Sequence, residues 1–161
     1  MSVLRKFADL GRIDRKILRE LQNNGRLSYA ELARNVGLTS TPCMERVKRL
    51  EFEGFIRGYS AILSPDRVDK AFVVFVMIRV TRGSQNVFND FEKAVRELPE
   101  VQECYLVSGS FDFLLKARVS DMSAYREFYG EKLLAFPDIQ ESMSYTAMEQ
   151  VKETLAIPLP P

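Results

Sequence analysis

The stretch Gly37 to Gly54, GLTSTPCMERVKRLEFEG, constrains this chain more than any other. At about 100° of rotation per residue, Cys43, Val47, Leu50 and Gly54 fall within roughly a 60° arc. That is a narrow apolar seam suited to packing on other helices, while Thr41, Glu45, Lys48, Arg49 and Phe52 project the opposite way. Thr39, Ser40 or Thr41 can cap the first free N–H groups, and Pro42 in the first turn forfeits only a donor that had no partner. The segment reads as a helix with one buried edge and a polar face, hydroxyls at its start and cations further along. Standing alone, such a face fits a solvated surface helix as well as a functional one.

What precedes it decides between these. Residues 1–11 are polar with scattered apolar positions and predict a mobile arm. Asp14 is placed to cap a helix carrying Ile13, Ile17, Leu18 and Leu21, stopped by Asn24-Gly25. Ser28-Tyr29-Ala30-Glu31 matches the Ser-x-x-Glu capping box of a second helix, whose buried side is Leu32, Ala33 and Val36. Gly37-Leu38 makes the turn into the third. Three short helices with a glycine in the second connection make a helix-turn-helix unit, and such a unit lays its last helix in the major groove. Tri-helical modules that bind protein are the competing reading. Arg46, Lys48 and Arg49 can donate to phosphates or to guanine, Ser40 and Thr41 can bond base edges or phosphate at the start set by Pro42, and Arg26 is a backbone clamp. Glu45 either accepts from a cytosine amine or restrains a neighbouring arginine.

Charge supports nucleic acid as the partner of this end. Residues 1–63 hold 12 Lys+Arg against 7 Asp+Glu, and residues 64–161 hold 11 against 15, so a net charge of +1 divides into +5 and −4. The basic part is suited to a polyanion and the acidic part is not. With no histidine and no Cys-x-x-Cys, imidazole catalysis and the usual zinc sites are excluded, and no metal is expected. No apolar run approaches the ~20 residues of a bilayer span, and the first residues lack the apolar region of a signal peptide. A cytoplasmic, nucleoid-associated protein with no membrane partner is the expectation. Cys43 and Cys104 are read as buried thiols in a reducing compartment.

After the third helix, residues 55–63 alternate enough to predict a strand, ended by Pro65 and followed by a linker to residue 70. Residues 71–80 (AFVVFVMIRV) are a β-branched and aromatic run that predicts a buried strand. Gly83-Ser84 breaks it. Val87, Phe88, Phe91, Val95 and Leu98 recur at helical spacing up to Pro99. Residues 101–107 and 113–119 predict two strands joined by the turn Ser108-Gly109-Ser110-Phe111-Asp112. Asp121 caps a helix bearing Met122, Tyr125, Tyr129, Leu133 and Phe136, and residues 139–149 form the last strand. Strand-helix-strand-strand-helix-strand is the ferredoxin-like split-βαβ order. The fold class is therefore α+β: an N-terminal arm and winged or plain helix-turn-helix domain over 1–54, a strand and linker over 55–70, a ferredoxin-like domain over 71–153, and an extended tail over 154–161. With both helices on one face of the sheet, the other face calls for a second copy of the chain, so at least a homodimer is expected.

The runs GRLSYAELARNVGLTSTPCMERVKRLEFEGFIRGYSAIL, VQECYLVSGSFDFLLKARVSDMSAYREF and YTAMEQVK resemble the Lrp/AsnC family, the feast/famine transcription factors of bacteria and archaea. The match includes the helix start Ser40-Thr41-Pro42-Cys43 and the Ser-Gly-x-x-Asp turn at Ser108-Gly109-Ser110-Phe111-Asp112, and it covers nearly the whole chain in order. The resemblance implies a sensor module of the RAM/ACT type, dimers pairing through their sheets, assembly to octamers or larger, and small effectors, usually amino acids, held between dimers beside that turn. It points to Leu106, Val107, Ser108, Gly109, Asp112, Met122, Tyr145, Thr146 and Ala147 as effector residues. Gly109 lets the backbone offer N–H groups to an α-carboxylate and Asp112 can pair with an α-ammonium. The apolar remainder suits leucine or methionine, although an aspartate stabilising its own hairpin fits the turn as well. The function so implied is a sequence-specific transcriptional regulator of amino-acid metabolism, of leucine-responsive type, without a cofactor. A DNA-wrapping architectural oligomer of low specificity is the alternative, and a small enzyme on the ferredoxin-like half is disfavoured by the lack of catalytic groups.

Overall fold

A computed structural model describes residues 6–81 and 85–160. The chain divides into two compact units, one of residues 1–62 with 153–161 and the other of residues 63–152.

In the first unit three helices, α1 (Arg12–Asn23), α2 (Tyr29–Val36) and α3 (Ser40–Phe52), share one core. Its centre is Ile17, Leu32, Cys43, Val47 and Leu50, each at most 1% exposed, so the seam predicted for α3 is the buried edge. The capping box forms in full: the Ser28 hydroxyl accepts from Glu31 N and the Glu31 carboxylate accepts from Ser28 N. Gly37 closes α2 at φ 77°, a left-handed conformation that glycine adopts without a Cβ penalty. Thr39 is the N-cap of α3, but its side chain makes no capping bond.

Four expectations for this unit change. Lys6 to Leu10 is not a mobile arm: Phe7–Asp9 is a 3₁₀ turn, the Asp9 carboxylate accepts from Lys6 N, and Leu10 is buried. Asp14 is not a cap, because α1 starts at Arg12 with Gly11 as its N-cap. Residues 55–63 form no strand; Phe55 N and Ile56 N both donate to Leu50 O, which bends the chain away from extended pairing, and Gly58 sits at φ 156°. The last residues are extended, as expected, but docked. Ile157 exchanges two bonds with the Gln22 amide, Pro160 O accepts from Arg19, and Leu159 packs on the helical core.

The second unit is a four-stranded antiparallel sheet, order β2-β3-β1-β4, of β1 (Phe72–Val80), β2 (Val101–Leu106), β3 (Phe113–Val119) and β4 (Ile139–Thr146). Helices α4 (Gln85–Arg96) and α5 (Met122–Glu127, continuing in wider π-helical turns through Leu133) cover one face. The break expected at Gly83-Ser84 lies outside the described residues. Alternate residues Val74, Val76, Ile78 and Val80 of β1 and Phe113, Leu115, Ala117 and Val119 of β3 are buried under the helices. Phe113 stacks at 4.6 Å on Phe91, and the hydroxyls of Tyr125 and Tyr129 bond those of Ser144 and Ser142, tying α5 to β4. Two expectations fail at the periphery. Cys104 is exposed rather than packed, standing on the edge strand β2. Met122 is half-exposed at the start of α5 instead of joining its apolar side.

Candidate functional site

On α3 the residues predicted to face outward are exposed, with Arg49 turned to the flank beside Asp14 of α1. Ser40, Thr41, Pro42, Glu45, Lys48 and Arg49 are exposed, Arg46 is intermediate, and Arg26 is exposed in the turn between α1 and α2, where its N–H donates to Asn24 Oδ1. Two of the cations are already engaged within the unit. Arg46 NH1 lies 3.0 Å from Asp14 Oδ1 and Arg49 NH2 lies 2.6 Å from Asp14 Oδ2, with Arg49 Nε 3.9 Å from a Glu53 oxygen. Asp14 is 3% exposed. Expected from the sequence to be a helix cap, this carboxylate has a buried role that the expectation missed, yet a signal was present. Asp14 precedes Ile17, Leu18 and Leu21 by three, four and seven residues, which sets it in the middle of α1's apolar face. An acidic residue there requires a cationic partner from another element.

The predicted effector residues fall into two groups on the sheet. Leu106, Val107, Ser108, Gly109 and Asp112 gather where β2 turns into β3. The turn is folded onto β1: Asp112 N donates to Ile78 O, Val107 N to Asp112 O, and Arg79 to Ser110 O. Gly109 has φ 148°, a conformation that favours glycine. The Asp112 carboxylate accepts from Val80 N at 3.0 Å, so one of its oxygens ties the turn to β1 rather than to its own hairpin. Tyr145, Thr146 and Ala147 end β4 on the opposite edge of the sheet. Met122 follows the end of β3 that shares their row of the ladder.

The ladder fixes how far apart these groups are. Leu106 stands in the row Leu106–Phe113–Ile78–Ser142, whereas Thr146 stands in the row Thr146–Val74–Ala117–Val101. Three strand spacings and four residues of rise put them about 20 Å apart. One chain does not bring Leu106 and Thr146 around one small molecule.

An open pocket of about 250 Å³ lies on the uncovered face, lined by Met77, Arg79, Ser110, Phe111, Glu141, Met143 and Tyr145. Of the predicted effector residues it includes Tyr145 alone. Arg79 and Glu141 pair across it at 2.9 Å. The same face exposes Phe75, Tyr105 and Met143. Lys116, also on it, pairs with Glu103 at 3.0 Å. Among the described residues no group of three His, Cys, Asp or Glu is placed to hold a metal ion, and no helix is long and apolar enough to cross a membrane.

A helix-turn-helix head joined to a ferredoxin-like domain defines a class of two-part regulators that bind DNA with one unit and a ligand with the other. Comparison with known proteins narrows the class. Residues 10–51 match the AsnC-type helix-turn-helix domain and residues 73–157 match the Lrp/AsnC ligand binding domain. The chain belongs to the Lrp/AsnC family and is a ligand-modulated transcriptional regulator, not an enzyme. It is 55% identical over 153 residues to the leucine-responsive regulatory protein of Escherichia coli K12, covering 95% of this chain and 93% of that one. An AsnC family transcriptional regulator from Agrobacterium tumefaciens superposes with a TM-score of 0.88 at 42% identity, over 92% of this chain and 97% of that one. A transcriptional regulator from Neisseria meningitidis in complex with L-methionine superposes equally well at 36% identity, over 92% and 96%.

Proposed function

We propose that the outer side of α3 enters the major groove of duplex DNA and that leucine or methionine, bound between copies of the chain, alters that binding. Ser40 and Thr41 would meet the groove at the helix start formed by Pro42. Glu45, Arg46, Lys48 and Arg49 would follow along it, with Arg26 on phosphate. The exposure of these side chains and the +5 charge of residues 1–63 support the assignment. The functional divisions are a head of residues 1–54, a connector of 55–70, a sensor of 71–153 and a tail of 154–161. Regulation acts through linkage: the amino acid shifts operator affinity only by its difference in affinity between two assemblies. A nucleoid-associated cytoplasmic protein is the corresponding location.

The observation that carries the effector assignment is the separation of its two groups of residues. Tyr145 reaches the turn's Ser110 and Phe111 within one copy, whereas Leu106 and Thr146, about 20 Å apart on the ladder, join one site only if different copies of the chain supply them. The apolar uncovered face, with Phe75, Tyr105, Met143 and Tyr145 each more than a third exposed, supports homodimers paired through their sheets. Dimers assembling further, to octamers or larger, would bring the edges together. The L-methionine held by the Neisseria relative and the name of the Escherichia coli relative support an apolar amino acid.

The test is complementation. Leucine and methionine are expected to raise the melting temperature of the intact chain and to change its assembly size in solution. Leu106→Asp and Thr146→Asp chains are each expected to lose that response, and a co-refolded mixture to recover part of it. A mixture that stays silent although both chains are folded would place the site within one copy or elsewhere.

A further inference from the structure

Asp14 occupies a position where an apolar residue would pack beside Ile17 and Leu18 at less cost. Burying a carboxylate is unfavourable unless it is fully paired. It is paired twice: one oxygen takes Arg46 NH1 at 3.0 Å and the other takes Arg49 NH2 at 2.6 Å. The arginines themselves are 36% and 43% exposed, so each guanidinium is anchored at one end and keeps N–H groups for a ligand. On α3 they lie on the flank between the buried seam and the outer face that carries Glu45 and Lys48. With Glu53 as Arg49's second partner, the four groups sum to zero charge. The cluster therefore supplies oriented donors with little long-range pull on phosphate.

We infer that Asp14 is a specificity-determining positioning residue, fixing the forks of Arg46 and Arg49 for a set geometry and cancelling their contribution to indiscriminate binding. An arginine whose rotamers are fixed before binding loses less entropy on docking and tolerates fewer partner geometries. An arginine freed from its carboxylate becomes a mobile cation that any phosphate satisfies. The inference rests on the reading of α3 as the groove helix. It differs from a plain staple between α1 and α3, whose loss would weaken binding to every duplex alike.

The experiment uses the full chain, a duplex it selects from a randomised library, and a shuffled duplex of the same composition, both titrated over a salt series. Asp14→Asn is expected to bind the shuffled duplex several-fold more tightly, with a salt dependence steeper by about one counterion. It should gain nothing on the selected duplex, so the ratio falls about tenfold. Asp14→Glu retains the charge but moves it by one methylene, and is expected to lower the ratio without steepening the salt dependence. A folded Asp14→Asn chain with the wild-type ratio overturns the inference, as does an equal loss on both duplexes. Where Asp14→Asn does not fold, Asp14→Glu decides: it keeps both arginines and every charge and moves only the anchoring carboxylate. A fall in its ratio supports the inference and an unchanged ratio overturns it. A wild-type chain that selects no duplex removes the reading of α3 itself, a result distinct from any change of ratio among variants.

Discussion

Each unit of this protein buries one charged side chain among the described residues, Asp14 in the head and Arg118 in the sensor, and the two are satisfied differently. Asp14 is met by two guanidiniums whose other ends stay in solvent. Arg118, on β3, donates to Gln102 Oε1 at 3.0 Å, Lys70 O at 3.2 Å and Gln150 Oε1 at 3.4 Å. Those partners come from β2, from the residues before β1 and from those after β4. Arg118 thus ties the margins of its own sheet together. A buried charge can organise a fold inwardly, as Arg118 does, or set groups that face outward, as Asp14 does. What distinguishes them is where the partners end: in the rest of the unit, or at an exposed surface.

The largest expected effects test whether the two units are independent. Leu50→Ala in the head and Phe113→Ala in the sensor each remove a side chain at most 1% exposed. Each substitution should cost about 2–5 kcal/mol. If the units are separate, Leu50→Ala abolishes DNA binding while the sensor retains the proposed sheet-to-sheet pairing, and Phe113→Ala abolishes that pairing while the head retains its helical signal. Loss of both properties in either variant, followed by calorimetry and sizing, would join the units into one cooperative block.

The cysteines sharpen the comparison at intermediate size, since each unit holds one. Cys43 is fully buried in the head and Cys104 is exposed on the sensor's edge strand, and desolvation pushes the thiol pKa of both up, so access rather than acidity separates them. One thiol per native chain should react quickly with a small disulfide reagent, and Cys104→Ser should abolish that reaction with a stability change within about 0.5 kcal/mol. Cys43→Ser should leave the reaction intact but cost about 1–3 kcal/mol by placing a hydroxyl among apolar neighbours. Two fast thiols would show that the helical core opens readily.

The smallest effect concerns the head alone. The Glu31 carboxyl is held below its ordinary value chiefly by its bond to the Ser28 hydroxyl, with Ser28 N–H adding to it. A native value below the unfolded one gives stability that is present above the unfolded pKa, near 4.5, and lost as pH falls through the native pKa. Ser28→Ala should remove about 1 kcal/mol at neutral pH and flatten that acidic loss. Melting curves across the acid range would read both, and an unchanged acid slope would remove this pair from the head's acid response.

Much of the architecture was legible because short-range chemistry writes it. The seam of Cys43, Val47 and Leu50, the Ser28–Glu31 box, the left-handed Gly37 and the alternation of β1 and β3 are each set by residues within a turn or a strand of one another. The described part of the arm, from Lys6, and the residue 55–63 strand were misread for the opposite reason; residues 1–5 lie outside the described residues. Leu10 is ordered by a core it meets only after folding, and an alternating segment becomes a strand only where a partner is available to pair with it. In the candidate sites the same division holds. The sequence determined which side chains α3 presents and where the turn at Gly109 falls, and the structure added the φ of 148° that favours glycine there. The tertiary structure alone decided that Asp14 meets Arg46 and Arg49 across more than thirty residues, and that the two effector groups stand at opposite corners of one sheet. Helical and strand periodicity fix the direction of a side chain relative to its own element, whereas the identity of what it touches depends on how the elements pack.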